Sequence, residues 1–366
     1  MAETAIRSVD IEPLDLPLFE PFGISGGAQA AANNVLLRIG LGDGTTGLGE
    51  GAPLPPYNGE TQRGTLAALQ EARSWLLGRE AADWRALGRE FGQRTAPGHG
   101  AARCALESAL LDAVLRQQGV PMVKHFGGAG TEIETDMTVT TGTPAAAAAA
   151  ARQIRQRGVR TIKVKIGGAT TEGDLERIRA VVDVAPGAPL ILDGNAGLSR
   201  FQASEMAAGL KRLGIAPALL EQWLPKGDLA GMRALGAETG WLIGADESVS
   251  TAGEARLVIE QGAAGVINVK LMKRGIAEAE EIVRLARAAG IRLMIGANIE
   301  SPLGTAVSAS FAAGLGGFHF ADLDTPQFIS RHPFRGGCHF AGGILALSAV
   351  GGGHGVEVGE GTIRTN

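Results

Sequence analysis

Residues 161–167 read Thr-Ile-Lys-Val-Lys-Ile-Gly, a β-branched run that carries lysines at positions 163 and 165. Side chains two residues apart on a β-strand point to the same face, so Lys163 and Lys165 are expected to lie side by side. On a buried face, two adjacent ammonium groups are costly unless anions meet them or one of them loses its proton. The sequence supplies such anions, because the next three apolar runs end near Asp193, Glu221 and Asp246.

Eight short apolar runs, which recur from residue 132 onward, predict the strands of a barrel. They lie near residues 133–140, 161–167, 189–194, 218–223, 241–246, 265–271, 291–297 and 318–323. Amphipathic segments of helix length separate them, for example residues 172–184, 200–213 and 276–289. This alternation predicts an α/β fold, a (β/α)7-8 barrel of TIM type, rather than an open sheet. The glycine-rich residues 326–343 predict that the last helix is weak or displaced.

The first third of the chain has a different texture and predicts an α+β capping domain. Residues 4–18, 34–42 and 46–50 alternate as strands do, and residues 61–77 and 101–118 have helical patterns. Two loops separate these elements, a Gly- and Ala-rich one at residues 20–34 and a proline-containing one at residues 52–60. We predict a capping domain over residues 1–125, completed by residues 344–366, and a barrel domain over residues 126–343.

Composition limits the possible partners and compartment. The chain has 366 residues, of which 45% are hydrophobic and 20% charged, and a net charge of −4, which argues against nucleic acid or an anionic membrane as a partner. Cys104 and Cys338 are too few for a disulfide framework, and residues 1–18 contain no continuous apolar run typical of a signal peptide. These features predict a cytoplasmic protein.

The polar residues that end the predicted strands predict a metal site. In barrels of this type the chemistry lies at the carboxyl ends of the strands. Asp193, Glu221 and Asp246 end the third, fourth and fifth strands, which are neighbours, so their carboxylates are expected to converge. An oxygen-only set without Cys or His favours Mg²⁺. Each acid could instead cap the helix that follows its strand, and a Lys-x-Lys pair alone is more typical of a solvated edge strand.

Two opposed lysines predict acid–base chemistry on both faces of a substrate. Lys165 lies on the second strand and Lys270 on the sixth, four places away in a ring of eight, so the two face each other across the mouth. Removal of a proton α to a carboxylate yields an enediolate, whose charge Mg²⁺ and Lys163 can stabilise. One lysine, neutral because its neighbours are cationic, takes the proton, and the other returns one to the opposite face. The pattern predicts a two-base 1,1-proton transfer.

The ordered motifs Lys163-Val-Lys165, Asp193-Gly-Asn, Glu221-Gln, Asp246-Glu-Ser and Val-Lys270 resemble those of the enolase superfamily, muconate-lactonizing subgroup. Near the eighth strand, Asp322-Leu-Asp324 resembles the Asp-x-Asp of dipeptide epimerases such as L-Ala-D/L-Glu epimerases. The resemblance runs over almost the whole chain. It implies an isomerase that inverts the α-carbon of the C-terminal residue of a dipeptide, with Mg²⁺ as cofactor and a homo-oligomeric assembly.

The resemblance also implies how a dipeptide is held. A dipeptide spans roughly 7 Å, so a carboxylate at the metal leaves the ammonium group near Asp322 and Asp324. Thr138 on the first strand and Asn298 after the seventh are the further expected substrate contacts. The alternatives are o-succinylbenzoate synthase, N-acylamino acid racemase or muconate cycloisomerase activity, and a barrel that binds amino-acid-like ligands without turnover.

The residues of the two capping-domain loops predict which substrate side chain is accepted at the inverted position. Residues 21–34 contain no Arg or Lys to pair with a second carboxylate of the substrate. A buried carboxylate without a partner is costly, so Glu or Asp at the inverted position is disfavoured. Phe22, Ile24, Leu54 and Tyr57 favour a neutral, mostly apolar side chain, and the acidic residues at positions 20 and 60 leave a cationic one open.

Overall fold

The capping domain is built on a three-stranded antiparallel sheet in the order β1-β2-β3. The structure is a computed structural model that describes residues 4–24, 27–347 and 351–363. The strands of this sheet are β1 (Ile6–Ile24), β2 (Gly27–Leu41) and β3 (Thr46–Gly51). Gly44, at the turn between β2 and β3, has a φ of 88°, which a glycine adopts without strain.

The prediction of a loop at residues 20–34 is wrong for most of that range. Strands β1 and β2 continue through it as a hairpin, in which Phe22 pairs with Gln29 and Ile24 with Gly27, after a register shift that follows Pro17. Glycine and alanine have low strand propensity, but pairing of backbone groups between two strands overrides it here. Residues 25 and 26 lie outside the described part of the chain, as do the side chains of Phe22 and Ile24.

Five helices complete the capping domain, and the longest one is its core. They are α1 (Pro55–Asn58), α2 (Gln62–Leu76), α3 (Trp84–Arg94), α4 (Gly100–Gln118) and α5 (Met122–His125). Strand β3 packs against α4 so closely that a Cβ at Gly49 would lie 2.1 Å from the Ala105 carbonyl oxygen. The predicted helices at 61–77 and 101–118 are confirmed, whereas α3 is a helix that the sequence patterns did not indicate.

The barrel prediction is confirmed by a sheet of eight parallel strands in sequential order. A short strand, β4 (Glu132–Glu134), precedes it. The barrel strands are β5 (Met137–Val139), β6 (Ile162–Lys165), β7 (Leu190–Asp193), β8 (Leu219–Glu221), β9 (Ile243–Ala245), β10 (Val266–Val269), β11 (Arg292–Gly296) and β12 (Phe318–Asp322). At the junction of β5 and β12, the Asp136 amide donates to the Ala321 carbonyl at 2.9 Å, so the barrel is nearly closed.

The helices between the barrel strands cover the outside of the sheet. They are α6 (Pro144–Gln156), α7 (Thr171–Val184), α8 (Arg200–Arg212), α9 (Leu229–Thr239), α10 (Ala252–Glu260), α11 (Leu271–Arg274), α12 (Ile276–Ala288) and α13 (Pro302–Leu315). Among the described helices, none is long and apolar enough to cross a membrane.

After β12 the chain forms strands in place of a final helix. These are β13 (Arg331–Gly336), β14 (Cys338–Ala341), β15 (Ile344–Leu347) and β16 (Val356–Ile363). Strand β15 pairs with β4, so the first predicted barrel strand is in fact two strands that belong to different sheets. Strand β16 pairs with β13, and Val356 joins a buried cluster with Leu16 of β1 and Leu303 of α13. The domain boundaries drawn from the sequence stay a prediction.

Candidate active site

The strand register places Lys165, Asp193 and Glu221 at one level of the barrel. Lys165 is the parallel partner of Asp193, and Asp193 is the partner of Glu221 on the next strand. The residues Lys163, Lys165, Asp193, Glu221, Asp246 and Lys270 are all at most 6% exposed. The sheet therefore gathers three cations and three anions at the carboxyl ends of strands β6 to β10.

Lys163 is fully buried and lies among carboxylates. Its Nζ is 2.9 Å from an oxygen of Asp193, 2.8 Å from one of Glu221 and 2.6 Å from one of Asp322. Burial alone would lower the pKa of Lys163, but these carboxylates outweigh it and raise the pKa well above its usual value. The two adjacent lysines on β6 are thus met by anions, as the sequence requires.

The two lysines predicted as acid and base line the same pocket. Lys165 donates to Asp193 at 2.6 Å, and the Nζ of Lys270 lies 2.8 Å from an oxygen of Asp246. Burial opposes the charged form of Lys270, but Asp246 raises its pKa above the usual value. That cationic neighbours keep one lysine neutral stays a prediction, and the nearest charged partner of Lys270 is the carboxylate of Asp246.

The three predicted metal ligands have the chemistry that a hard cation requires. Asp193, Glu221 and Asp246 are completely buried. Burial, and next the charge of Asp193, raise the pKa of Glu221 to about 7, which shows that negative charge is crowded here. One oxygen each of Glu221 and Asp246 has no hydrogen-bond partner among the described residues, although a lysine lies within ion-pair distance. The donor set therefore fits Mg²⁺.

A second set of acids at the barrel mouth is tightly grouped. In the described part of the chain, one group of three acids has ligand atoms that all lie within 4.8 Å of one another, and it consists of Asp136, Asp322 and Asp324. The ammonium group of Lys163 lies between Asp193 and Glu221, and that of Lys270 pairs with Asp246.

Neighbouring polar side chains hold the carboxylates in place. Asn268 donates to Glu221 at 2.7 Å. Lys273 lies 2.8 Å from a carboxylate oxygen of Asp246 and donates to the backbone carbonyls of Asp246, Val249 and Asn268. With these acceptors satisfied around it, Lys273 has the structural role that its position after Lys270 suggests.

Four predicted substrate contacts, Thr138, Asn298, Asp322 and Asp324, line the same pocket as Lys165 and Lys270. The fifth, Lys163, is fully buried and contacts Asp322 of that wall. The wall of the pocket includes Leu54, Tyr57, Thr138, Lys165, Lys270, Asn298, Ile299, Asp322 and Asp324. Asp324 accepts from the Thr138 amide at 2.7 Å, and Asn298 donates to the Ala52 carbonyl of the capping domain at 2.8 Å.

Sequence reasoning named Tyr57 only as part of the apolar wall and did not name Asp136. The Tyr57 hydroxyl donates to Asp246 at 3.1 Å, and the Nζ of Lys270 lies 4.6 Å from the centre of its ring. Tyr57 lies in α1 of the capping domain, and no sequence signal ties that helix to β9. Asp136 is different, because it stands two residues before Thr138 and shares its face of the strand, which is a signal that the sequence did contain.

Comparison with known proteins agrees with this geometry. Residues 7–127 match the mandelate racemase / muconate lactonizing enzyme N-terminal domain, and residues 145–362 match the enolase C-terminal domain-like family. The chain belongs to the mandelate racemase and muconate lactonizing enzyme family. The predicted resemblance to the enolase superfamily is confirmed.

Members of this family that are similar to the chain include named epimerases. An aromatic dipeptide epimerase of Herpetosiphon aurantiacus is 47% identical over 97% of this chain and 99% of its own. A hydrophobic dipeptide epimerase of Citrifermentans bemidjiense is 42% identical over 86% of this chain and 87% of its own. The structure of a dipeptide epimerase from Enterococcus faecalis, complexed with Mg and L-Leu-L-Tyr, has a TM-score of 0.91 at 28% identity, over 96% of this chain and 99% of its own. The prediction of an isomerase is confirmed.

Proposed function

We propose that this protein is a Mg²⁺-dependent dipeptide epimerase that inverts the α-carbon of the C-terminal residue by a two-base 1,1-proton transfer. The observation that carries the proposal is the placement of Lys165 and Lys270 in one pocket, on strands four places apart in the barrel. A planar carbanionic centre between two such groups can lose a proton to one lysine and gain a proton from the other. Inversion requires this two-sided arrangement.

Asp193, Glu221 and Asp246 would hold the metal ion. When bound, Mg²⁺ supplies positive charge beside the substrate carboxylate, which favours loss of the α-proton. Lys163 is already surrounded by these carboxylates and would be released toward the substrate once the metal neutralises them. Its ammonium group would then stabilise the enediolate charge from a second direction. Lys165 and Lys270 would be released from Asp193 and Asp246 in the same way.

Asp322 and Asp324 support a substrate with a free amino group. Burial, and next the charge of Asp322, raise the pKa of Asp324 to about 7, so a cation that reaches this pair is stabilised by both. Asn298 would contact the peptide group, and Thr138 fixes Asp324 through its amide. Muconate and succinylbenzoate have no ammonium group to place against two buried carboxylates, which disfavours those alternatives.

The inverted residue is proposed to have a neutral, mostly apolar side chain. Leu54, Tyr57 and Ile299 supply apolar wall, and Lys165 and Lys270 are the cations among the described residues that line the pocket. Arg331 is exposed on β13 and is not part of that wall, so it offers no partner for a substrate Glu. The names of the two relatives, aromatic and hydrophobic dipeptide epimerase, agree with this choice. A homo-oligomer in the cytoplasm stays a prediction.

Deuterium incorporation tests this function. The protein is incubated with Mg²⁺ in D2O with L-Ala-L-Phe, L-Ala-L-Leu and L-Ala-L-Glu, and the products are separated by chromatography and weighed by mass spectrometry. The proposal predicts a second diastereomer that carries one deuterium at the α-carbon, formed faster from the Phe and Leu peptides than from the Glu peptide. Absence of exchange into every dipeptide would contradict an epimerase, and a preference for L-Ala-L-Glu would contradict the apolar pocket.

A further inference from the structure

Asp136 is a buried carboxylate that neither the fold nor the proposed proton transfer uses. Its side chain is 2% exposed, and neither of its oxygens has a hydrogen-bond partner among the described residues. A buried carboxylate without a hydrogen-bond partner costs folding free energy unless a ligand supplies the missing donors. Most buried acids in this molecule accept hydrogen bonds from nearby amides or side chains, so the contrast points to a ligand.

The position of Asp136 identifies the place where that ligand would bind. Its ligand atom and those of Asp322 and Asp324 all lie within 4.8 Å of one another. Three acceptors that are each about 2.8 Å from one nitrogen atom lie no more than about 4.8 Å apart, which is the limit set by charge-assisted N–H···O bonds. One oxygen of Asp324 also lacks a hydrogen-bond partner within the described residues. The cluster therefore has the size and the open acceptors to surround a single ammonium nitrogen.

The ammonium group of Lys163 contacts this cluster. The Nζ of Lys163 lies 2.6 Å from an oxygen of Asp322, while Asp136 forms no hydrogen bond with it. Burial, then the charges of Asp322 and Asp324, raise the pKa of Asp136 well above its usual value, and Lys163 offsets only part of this. Lys163 therefore pairs with Asp322 and leaves both oxygens of Asp136 available to a ligand.

We propose that Asp136 is the third acceptor for the substrate ammonium and restricts the enzyme to dipeptides with a primary amino group. The inference rests on the proposed function and extends it. Asp322 and Asp324 line the pocket wall, and a carboxylate oxygen of Asp136 lies within 4.8 Å of theirs, so an ammonium group held by Asp322 and Asp324 is within reach of Asp136.

The number of N–H groups makes the restriction specific. A primary ammonium has three N–H donors and matches three carboxylates one to one. An N-methylated residue or an N-terminal proline has two, and its additional carbon would be pressed against a buried carboxylate. Loss of one charge-assisted hydrogen bond, together with an unpaired buried acceptor, is expected to weaken binding by about tenfold or more.

Calorimetric titration tests the inference without requiring turnover. The Mg²⁺-loaded protein is titrated with L-Ala-L-Phe and with N-methyl-L-Ala-L-Phe. Wild-type protein is expected to bind the primary amine at least about tenfold more tightly. Asp136→Asn is expected to weaken binding of L-Ala-L-Phe and to bring the two Kd values to within about threefold. Glu107→Gln is the matched control, because it changes another buried carboxyl, in the capping domain beside Arg103, and should leave the ratio unchanged.

The outcomes separate this inference from the proposed function. Equal binding of the two peptides by wild-type protein would overturn the inference about Asp136, even if deuterium exchange establishes an epimerase. This comparison does not depend on whether Asp136→Asn folds. Retention of the full ratio in a folded Asp136→Asn variant would also overturn it. Mg²⁺ affinity is measured in the same variant, since its loss would place the metal at this cluster and contradict an ammonium site.

Discussion

Two buried acidic regions of this molecule differ in how completely their carboxylate oxygens are hydrogen-bonded. Glu50 lies between the capping domain and the barrel, and its two oxygens accept hydrogen bonds from Asn34, from the amides of Ser301 and Gly304, and from the Ser301 hydroxyl. At the barrel mouth, Glu221 and Asp246 each retain an oxygen without a hydrogen-bond partner among the described residues. Both regions are fully buried, so burial alone does not distinguish them.

The two regions differ in the groups that compensate the negative charge of the carboxylates. Glu50 is held by fixed donors at the start of α13, where the amino end of a helix favours an anion, and it joins the two domains. The mouth carboxylates are met by the ammonium groups of lysines at the pocket. A full set of hydrogen bonds from the fold therefore marks a structural acid, and acceptor oxygens that the fold leaves open mark a functional one.

Removal of one mouth carboxylate is expected to have the largest effect on activity and little on folding. Asp193→Asn, Glu221→Gln and Asp246→Asn should each lower kcat by about 10³-fold or more and weaken Mg²⁺ binding, because a neutral amide is a poor ligand for a hard cation. Isothermal titration with Mg²⁺ and steady-state kinetics check both effects. Normal Mg²⁺ affinity in all three variants, or full wild-type activity in excess chelator, would contradict a catalytic metal ion at these carboxylates.

Removal of Glu50 should act in the opposite way, on stability rather than on the metal. Glu50→Ala leaves Asn34 and the amides of Ser301 and Gly304 without their buried acceptor, which is expected to cost about 3 kcal/mol or more of unfolding free energy. Glu50→Gln keeps the shape and should cost less. Urea unfolding measures the loss, and unchanged Mg²⁺ affinity of the folded variant is the control. A loss below about 1 kcal/mol would contradict its structural role.

Glu300 sharpens the comparison, because it is a buried acid beside Glu50 with fewer donors. Burial, and next the charge of Glu50, raise its pKa from 4.5 to about 8. Between these values the unfolded chain is ionised at Glu300 while the folded chain holds the proton, so unfolding free energy falls as pH rises from about 5 to 8. Glu300→Gln removes this titration and should flatten the decline of unfolding free energy over this pH range by up to about 4 kcal/mol, as measured by urea unfolding at each pH. An unchanged slope would show that Glu300 is ionised in the folded protein.

The sequence predicted the barrel and most of the mouth residues for a physical reason. Apolar runs of strand length that end in acids recur in order, and strand number alone then decides which residues are neighbours and which are opposed. Lys165 and Lys270 needed no further information to be placed in one pocket. The two lysines of β6 likewise revealed that anions must be near.

Features that depend on contacts between distant segments were not accessible in this way. The strand pairing of residues 20–34 depends on a partner strand, not on composition, and Tyr57 reaches Asp246 across the domain interface. The backbone after Glu221 is another case. Gln222 has a φ of 39°, and the Trp223 indole donates to the Leu192 carbonyl at 2.9 Å, an arrangement that only the packed barrel specifies.

The most direct test of the central claim is proton exchange by single-lysine variants on single stereoisomers. Lys165→Met and Lys270→Met are each incubated with Mg²⁺ in D2O, separately with L-Ala-L-Phe and L-Ala-D-Phe. Two opposed bases predict that both variants lose epimerisation by at least about 10³-fold. Residual deuterium uptake, where it remains, should be confined to one stereoisomer for one variant and to the other stereoisomer for the other variant. Near wild-type epimerisation by either variant, or uptake into both stereoisomers by the same variant, would contradict the account.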